Sequence, residues 1–253
     1  MFSFISQLKE RNKLLYWFGC CNIVVAIACI ICMQFDSVQI LGISRWIKPM
    51  KFSISFWIMS WTMGWILYYL NRKRAVSVIS LLIVVSIFFE SFIITLQSAR
   101  GTRSHFNVQE PLNSILFSLM GIFILLFTFT SIYALALFLR QKSFFLPPAY
   151  LLGIRLGLAF FIFFSLEAGL MVSRLSHAVG GLDGGPGLPI MNWSTEFGDL
   201  RIAHFFGMHA LQLLPLAGYY VFRRTSVLWI FGVIYFLLVM ATVIIAMKGI
   251  PIF

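Results

Sequence analysis

Long apolar runs constrain this chain more than any other feature of its sequence. About 20 apolar residues in a helix cross the ~30 Å hydrocarbon core of a bilayer, and runs of this kind recur along the chain. Backbone polar groups in lipid must be satisfied internally, so such runs are helices or strands of a closed barrel. Barrel strands alternate apolar and polar residues, whereas these runs are continuous. With only 11% charged residues, against about 25% in soluble domains, the sequence predicts an all-α, polytopic membrane protein.

Seven segments are predicted to span the bilayer as one domain over residues 1–253. They are residues 14–34, 51–70, 76–97, 112–139, 150–175, 201–222 and 227–247. Ahead of the first span the sequence predicts a short interfacial helix. Its expected lipid-facing residues are Phe2, Phe4, Ile5 and Leu8.

Lysine and arginine orient the predicted bundle. Cytoplasmic loops are enriched in these cations, and the short, plain loops Asn71–Arg74 and Arg140–Lys142 fit that pattern best. The sequence therefore predicts the N-terminus inside and the C-terminus outside. The net charge of +11 then needs no nucleic-acid partner, because cations at the inner rim attract anionic lipid headgroups. The predicted partner is the lipid bilayer.

Ionisable residues gather in the outer half of this topology, where all four histidines and every acid except Glu10 lie. Glu90, Glu167 and His209 lie roughly 10–12 Å below the outer ends of the third, fifth and sixth spans. Ionisable groups at such depth usually face the bundle interior or a water-filled cavity. We therefore expect one cavity, open to the outside, with these three residues as its catalytic acid–base groups.

A metal ion or haem is the first ligand predicted for this cavity. Histidine is the commonest metal ligand, and carboxylates from neighbouring helices can complete a site. The candidate ligands are His105, His204, His209, Glu90 and Glu167. The leading hypothesis is that the protein binds a metal ion or haem there for redox or hydrolytic chemistry.

The mouth of the predicted cavity is rich in groups that bind anions. The candidates are Lys48, Gln97, Arg100, Arg174, Arg201 and Gln212. They would hold a small anionic ligand or haem propionates. The outer connection, residues 176–200, is so rich in Gly and Pro that it predicts an irregular loop, either folded over the mouth as a lid or mobile. Asp199 is expected to cap the sixth span.

Two other functions use the same residues. The buried acids and histidines suit a proton-coupled transporter or channel for a small anionic solute. In a non-catalytic membrane subunit, the polar seams would only bind partner helices, and pairs such as Glu167 with Arg174 would fix helix register.

Two further kinds of chemistry have weaker support. Seven-helix intramembrane hydrolases of the alkaline ceramidase and adiponectin-receptor type have a similar residue inventory. They pair their late histidines as HxxxH, whereas His204 and His209 are five residues apart. The Cys29–Cys32 motif could form a redox disulfide, although cysteine in an apolar helix usually only packs.

Two stretches resemble those of an uncharacterised family of bacterial multi-span membrane proteins. They are Gln97–Asn107, which contains RGTRSHFN, and Gly198–Gln212, which reads GDLRIAHFFGMHALQ. The resemblance implies no activity. It does imply a multi-pass protein of the bacterial inner membrane whose outer face is periplasmic.

Overall fold

The computed structural model describes residues 2–253, and almost all of its regular structure is helical. The chain forms two compact units, Met1–Thr130 and Ser131–Phe253. The boundary between them falls within the longest helix. Each unit is described by itself below.

The first unit contains four complete helices and the beginning of a fifth. They are α1 (Phe2–Arg11), α2 (Lys13–Phe35), α3 (Ile47–Leu67), α4 (Lys73–Ala99) and α5 (Pro111–Arg140). A short hairpin of two antiparallel strands, β1 (Gln39–Ile40) and β2 (Ile43–Ser44), each two residues long, joins α2 to α3. Asn12 separates α1 from α2 because its side chain caps α2, accepting a hydrogen bond from the N–H of Leu15.

The second unit contains the rest of α5, three further helices and a short ribbon. The elements are α6 (Pro148–Arg174), β3 (Ala178–Val179), β4 (Gly198–Asp199), α7 (Leu200–Leu216), a π-helical turn (Ala217–Val221) and α8 (Thr225–Met247). Asp199 caps α7, as predicted, by accepting a hydrogen bond from the N–H of Arg201. Pro215 lies inside α7, and the helix changes to π geometry two residues later.

Five helices, α2, α4, α5, α6 and α8, are long and apolar enough to cross a membrane. Many of their large apolar side chains are exposed, and only 22% of the most apolar window of α8 is buried. Such surfaces suit lipid rather than water. The chain is therefore an all-helical, multi-pass integral membrane protein. The predicted span 51–70 largely coincides with α3, and the predicted span 201–222 with α7 plus the π turn. Neither is among the five helices that are long and apolar enough to cross a membrane. A count of seven spans therefore stays a prediction.

Two local predictions were wrong. The N-terminal segment is helical, but Leu8 is fully buried inside the first unit instead of facing lipid. The outer connection is not wholly irregular, because β3 and β4 pair in antiparallel fashion, with Ala178 opposite Asp199. Apolar periodicity could not reveal this ribbon, since its strands are only two residues long.

Glycines allow α6 and α7 to pack in close contact. A Cβ atom on Gly153 would overlap the backbone carbonyl of Leu214, and one on Gly157 would lie 2.9 Å from the carbonyl oxygen of Ala210. Gly207 of α7 leaves room for the ring of Phe164 in the same way. Small residues of this kind let helix backbones approach closely in membranes, where van der Waals packing drives association.

We expect Gly153→Ala to lower the stability of the protein by about 1–3 kcal/mol, because the added methyl group has no room. Gly169→Ala is the matched control in the same helix, since a Cβ there meets nothing within 4 Å. The control should be neutral or slightly stabilising, because alanine is the better helix former. Thermal unfolding of both variants in detergent tests this, and equal stability would show that α6 and α7 are not in close contact at Gly153.

Candidate functional site

The predicted site residues lie in both units of the structure. The first unit contains Lys48, Glu90, Gln97, Arg100 and His105. The second contains Glu167, Arg174, Arg201, His204, His209 and Gln212. The residues with the clearest chemical arrangement are Glu167 and His204.

Glu167 is a buried carboxyl in α6, with only 8% of the residue exposed. Its position, seven residues before the end of α6, puts it roughly 10 Å along the helix from that end. No hydrogen-bond donor reaches either Oε1 or Oε2. The Nδ1 atom of His204 lies 3.5 Å from Oε2, which is an ion-pair distance but not a hydrogen bond. The predicted partner Arg174 is exposed and forms none of the described ion pairs.

The orientation of His204 follows from a second contact. Its Nδ1 atom lies 2.8 Å from the backbone carbonyl oxygen of Phe164. A carbonyl only accepts hydrogen bonds, so Nδ1 carries the proton and donates. In the neutral imidazole, the lone pair is therefore on Nε2. The His204 side chain is 28% exposed at the protein surface.

This arrangement can hold one exchangeable proton. A bare buried carboxylate without donors is strongly disfavoured. The pair is neutral when Glu167 is protonated beside a neutral imidazole, and also when a carboxylate faces an imidazolium. Loss of the proton leaves one uncompensated negative charge. Proton binding at this pair therefore decides whether the interface between α6 and α7 is neutral.

His209 has separate surroundings, although it lies on the same helix as His204. Its Nδ1 atom is 3.2 Å from Oε1 of Gln212, and its ring packs edge-on against Phe205 with centroids 4.4 Å apart. The described contacts of His209 are thus within α7. They keep Gln212 beside His209, and a catalytic or metal-binding role for His209 stays a prediction.

Arg201 forms an ion pair with the cap of its own helix. Its Nε atom donates to Oδ1 of Asp199 at 2.9 Å, and its Nη2 atom donates to the backbone carbonyl of Asn192. Asp199 is only 1% exposed and also accepts a hydrogen bond from the N–H of Ser194. These contacts hold the end of the outer loop against the beginning of α7. Anion binding by Arg201 remains a prediction.

Asp183 fastens the other end of the same loop, at residues 176–178. Its carboxylate accepts hydrogen bonds from the hydroxyl of Ser176, from the N–H of Ala178 and from Nδ1 of His177, the last at 2.8 Å. Burial raises the pKa of Asp183, but the hydrogen bonds from His177 and Ala178 outweigh that effect and hold the pKa below its ordinary value. A carboxyl shifted in this direction stabilises the fold above its unfolded pKa, about 3.9, and loses that contribution as the pH falls through the folded-state pKa. The loop is therefore fastened at neutral pH.

Glu90 is the buried acid of the first unit. It lies in α4 with 4% of the residue exposed, and Lys48 of α3 is the cation that acts on it electrostatically. His105, in the connection after α4, packs against the rings of Phe52 and Phe117. The Nδ1 atom of His105 also lies 3.0 Å from the hydroxyl of Ser104.

Gln97 and Arg100 belong to a polar network that joins α4 to α5. Gln97 donates to Oδ1 of Asn113 at 2.9 Å and accepts from Arg100 at 2.6 Å, while Asn113 donates to Glu110. Sequence analysis missed Asn113, because an amide near the start of an apolar helix carries no signal of its partner. The network holds the connection between the helices, and anion binding by Arg100 or Gln97 is untested.

Within residues 2–253, no group of three or more His, Cys, Asp or Glu side chains lies close enough together to hold a metal ion. All four cysteines are free thiols, including Cys29, which is buried, and Cys32.

Comparison of the chain with protein-family models, curated proteins and solved structures found no match. The function must therefore be argued from the residues themselves.

We expect Arg201→Ala to open the outer loop. The lost contacts include a charge-assisted pair worth about 1.5–3 kcal/mol, so local opening should increase roughly 10- to 100-fold. Limited proteolysis of the purified protein between residues 180 and 198 measures this directly. Arg174→Ala is the matched control, because that exposed arginine forms none of the described ion pairs. Equal cleavage of the two variants would show that Arg201 does not hold the loop.

Proposed function

We propose that this protein is a proton-coupled transporter or channel for a small anionic solute, with Glu167 and His204 as its proton-binding pair. The observation that supports this most directly is the state of the Glu167 carboxyl. It is buried in an apolar helix, has no hydrogen-bond donor, and faces an imidazole at 3.5 Å. Ionisable groups inside membrane helices are costly, and proton relays are among the functions for which they are kept.

The proton would be exchanged through His204. Its Nε2 atom takes up a proton from water, giving an imidazolium whose charge the Glu167 carboxylate balances. Release of that proton restores the lone pair and leaves the carboxylate uncompensated at the packed interface between α6 and α7. The protonated and deprotonated pairs differ in the net charge buried between α6 and α7, so protonation favours one packing of the two helices over another. A change of packing that depends on a proton can couple proton binding to movement of a solute.

The orientation of the chain forms part of the proposal. With the N-terminus inside a bacterial inner membrane, the ends of α6 and α7 that carry Glu167 and His204 face the periplasm. The outer loop fastened by Asp183 and Arg201 then covers or borders this side. Seven spans follow if α3 crosses the membrane and if α7 crosses it together with the π turn, since Leu200–Val221 is about as long as the ~20 residues that a span needs.

The anionic solute would first meet Arg174. This residue lies seven positions after Glu167 in α6, nearly two helical turns, and so lies on the same helix face. It is exposed at the end of the helix, whereas Arg100 and Arg201 already bind groups of the protein. In the first unit, Lys48 would be the cation that the solute meets beside the buried Glu90.

A metal ion or haem is the other ligand that the sequence suggests. Glu167 and His204 supply two donor side chains, and residues 2–253 bring no third His, Cys, Asp or Glu to them to form a metal-binding group. The proton-binding role needs only the two residues that are in place. Elemental analysis and an absorption spectrum of the purified protein distinguish the two functions, because stoichiometric metal or a haem band lost in His204→Ala would favour the cofactor.

We expect Glu167→Gln to abolish proton-coupled uptake in liposomes, because the amide cannot bind or release a proton. Proton flux that accompanies uptake should therefore fall to the level of protein-free liposomes. The readout is an internal pH dye during uptake across a panel of small anions. Glu196→Gln, the same change at an exposed loop position, is the control and should behave like wild type.

The thermal stability of Glu167→Gln shows whether a loss of uptake is caused by lost proton coupling or by a failure to fold. Because no donor binds the carboxyl in the wild type, the variant should unfold at a temperature no lower than wild type. Silence of the wild type across the whole panel, or normal coupled flux in Glu167→Gln, would overturn the proposal.

A further inference from the structure

A groove on the protein surface lies at the end of α7, away from the site described above. Pro215 cannot donate a backbone hydrogen bond, and the next residues form the π turn before the chain becomes extended at Phe222. The groove runs beside this distorted end and reaches Phe231 of α8. It is a shallow, largely open groove with a volume of about 510 Å³.

The lining of the groove is apolar. Its walls are formed by Leu213, Leu216, Ala217, Tyr220, Phe222 and Phe231. Leu216 and Tyr220 are among the exposed apolar side chains, with 54% and 74% of their surfaces accessible. An exposed groove of this chemistry in a membrane protein suits a hydrocarbon chain.

Two arginines follow the groove directly in sequence. Arg223 and Arg224 lie in the short connection between the π turn and α8, and both are exposed. Among residues 2–253, neither guanidinium takes part in a described hydrogen bond, ion pair or cation–π contact. Arginine presents a planar set of donors that matches the oxygens of a phosphate group. Two such arginines directly after Phe222, which lines the groove, match the headgroup of an anionic lipid, as the apolar lining matches its acyl chain.

We propose that this groove is a binding site for an anionic phospholipid. One acyl chain lies against Leu216, Tyr220 and Phe231, and the headgroup phosphate binds Arg223 and Arg224. Zwitterionic lipids can fill the apolar groove, but their headgroups carry no net charge for the two arginines to neutralise. The site therefore selects phosphatidylglycerol over phosphatidylcholine, independently of whether the protein moves protons.

Photoactivatable lipids test the site in the full-length protein. The protein is reconstituted in phosphatidylcholine vesicles that contain a small fraction of either photoactivatable phosphatidylglycerol or photoactivatable phosphatidylcholine, and adducts are mapped by mass spectrometry. The expected result is adducts on residues 213–231 that are about thirtyfold more abundant for phosphatidylglycerol, because two arginines near an anionic headgroup together favour it by about 2 kcal/mol. Adding salt should reduce this preference in the wild type.

Two variants separate the headgroup from the acyl chain. Arg223→Gln with Arg224→Gln should lower the phosphatidylglycerol yield to that of phosphatidylcholine, while Leu216→Trp should block the groove and lower both yields. The control is Arg72→Gln with Arg74→Gln, two exposed arginines at the beginning of α4, which should leave the adducts on 213–231 unchanged. Equal labelling by the two lipids in wild type, or an unchanged preference in the double variant at Arg223 and Arg224, would overturn the proposal.

Discussion

Close packing of α6 against α7 is the contact on which the candidate site depends. Gly207 has no side chain, so the ring of Phe164 lies directly against α7. That approach brings the carbonyl oxygen of Phe164 within hydrogen-bond distance of His204. Glu167 is one turn further along α6, on the same face as Phe164, and is therefore carried beside the same imidazole. Glycine spacing thus produces the buried acid–base pair.

The charged side chains described above fall into two groups: those with hydrogen-bond or ion-pair partners that stabilise connections, and Glu167. Asp183 and Arg201 fasten the loop between α6 and α7 at its two ends, and Arg100 joins α4 to α5 through Gln97 and Asn113. These charges have partners and stabilise connections. Glu167 lacks any hydrogen-bond donor and stabilises nothing by the same logic. The proposed proton exchange at Glu167 would give this carboxyl a role other than stabilising the fold.

Much of the fold follows from the sequence alone. Apolar runs predict the long helices because hydrocarbon requires both their length and their internal hydrogen bonding. The cap at Asp199 and the depth of Glu167 follow from local spacing. Local spacing does not show that His204 and not His209 lies next to Glu167, because that depends on how α7 is rotated about its axis against α6. That rotation is set by Gly153, Gly157 and Gly207, which permit close contact between the two helices. The apolar periodicity of each helix alone does not show which residues of α6 meet which residues of α7.

Infrared difference spectroscopy tests the central claim, that Glu167 exchanges a proton beside His204, most directly. The spectrum of the reconstituted protein at acidic pH minus that at alkaline pH should contain a carbonyl stretching band of a protonated carboxylic acid, shifted in D₂O. Measured in a Glu90→Gln background, which removes the other buried glutamate, the band should disappear in Glu167→Gln and change frequency in His204→Gln, while Glu196→Gln leaves it in place. A band that survives unchanged in Glu167→Gln would contradict the account, because the buried carboxyl would then exchange no proton in this range.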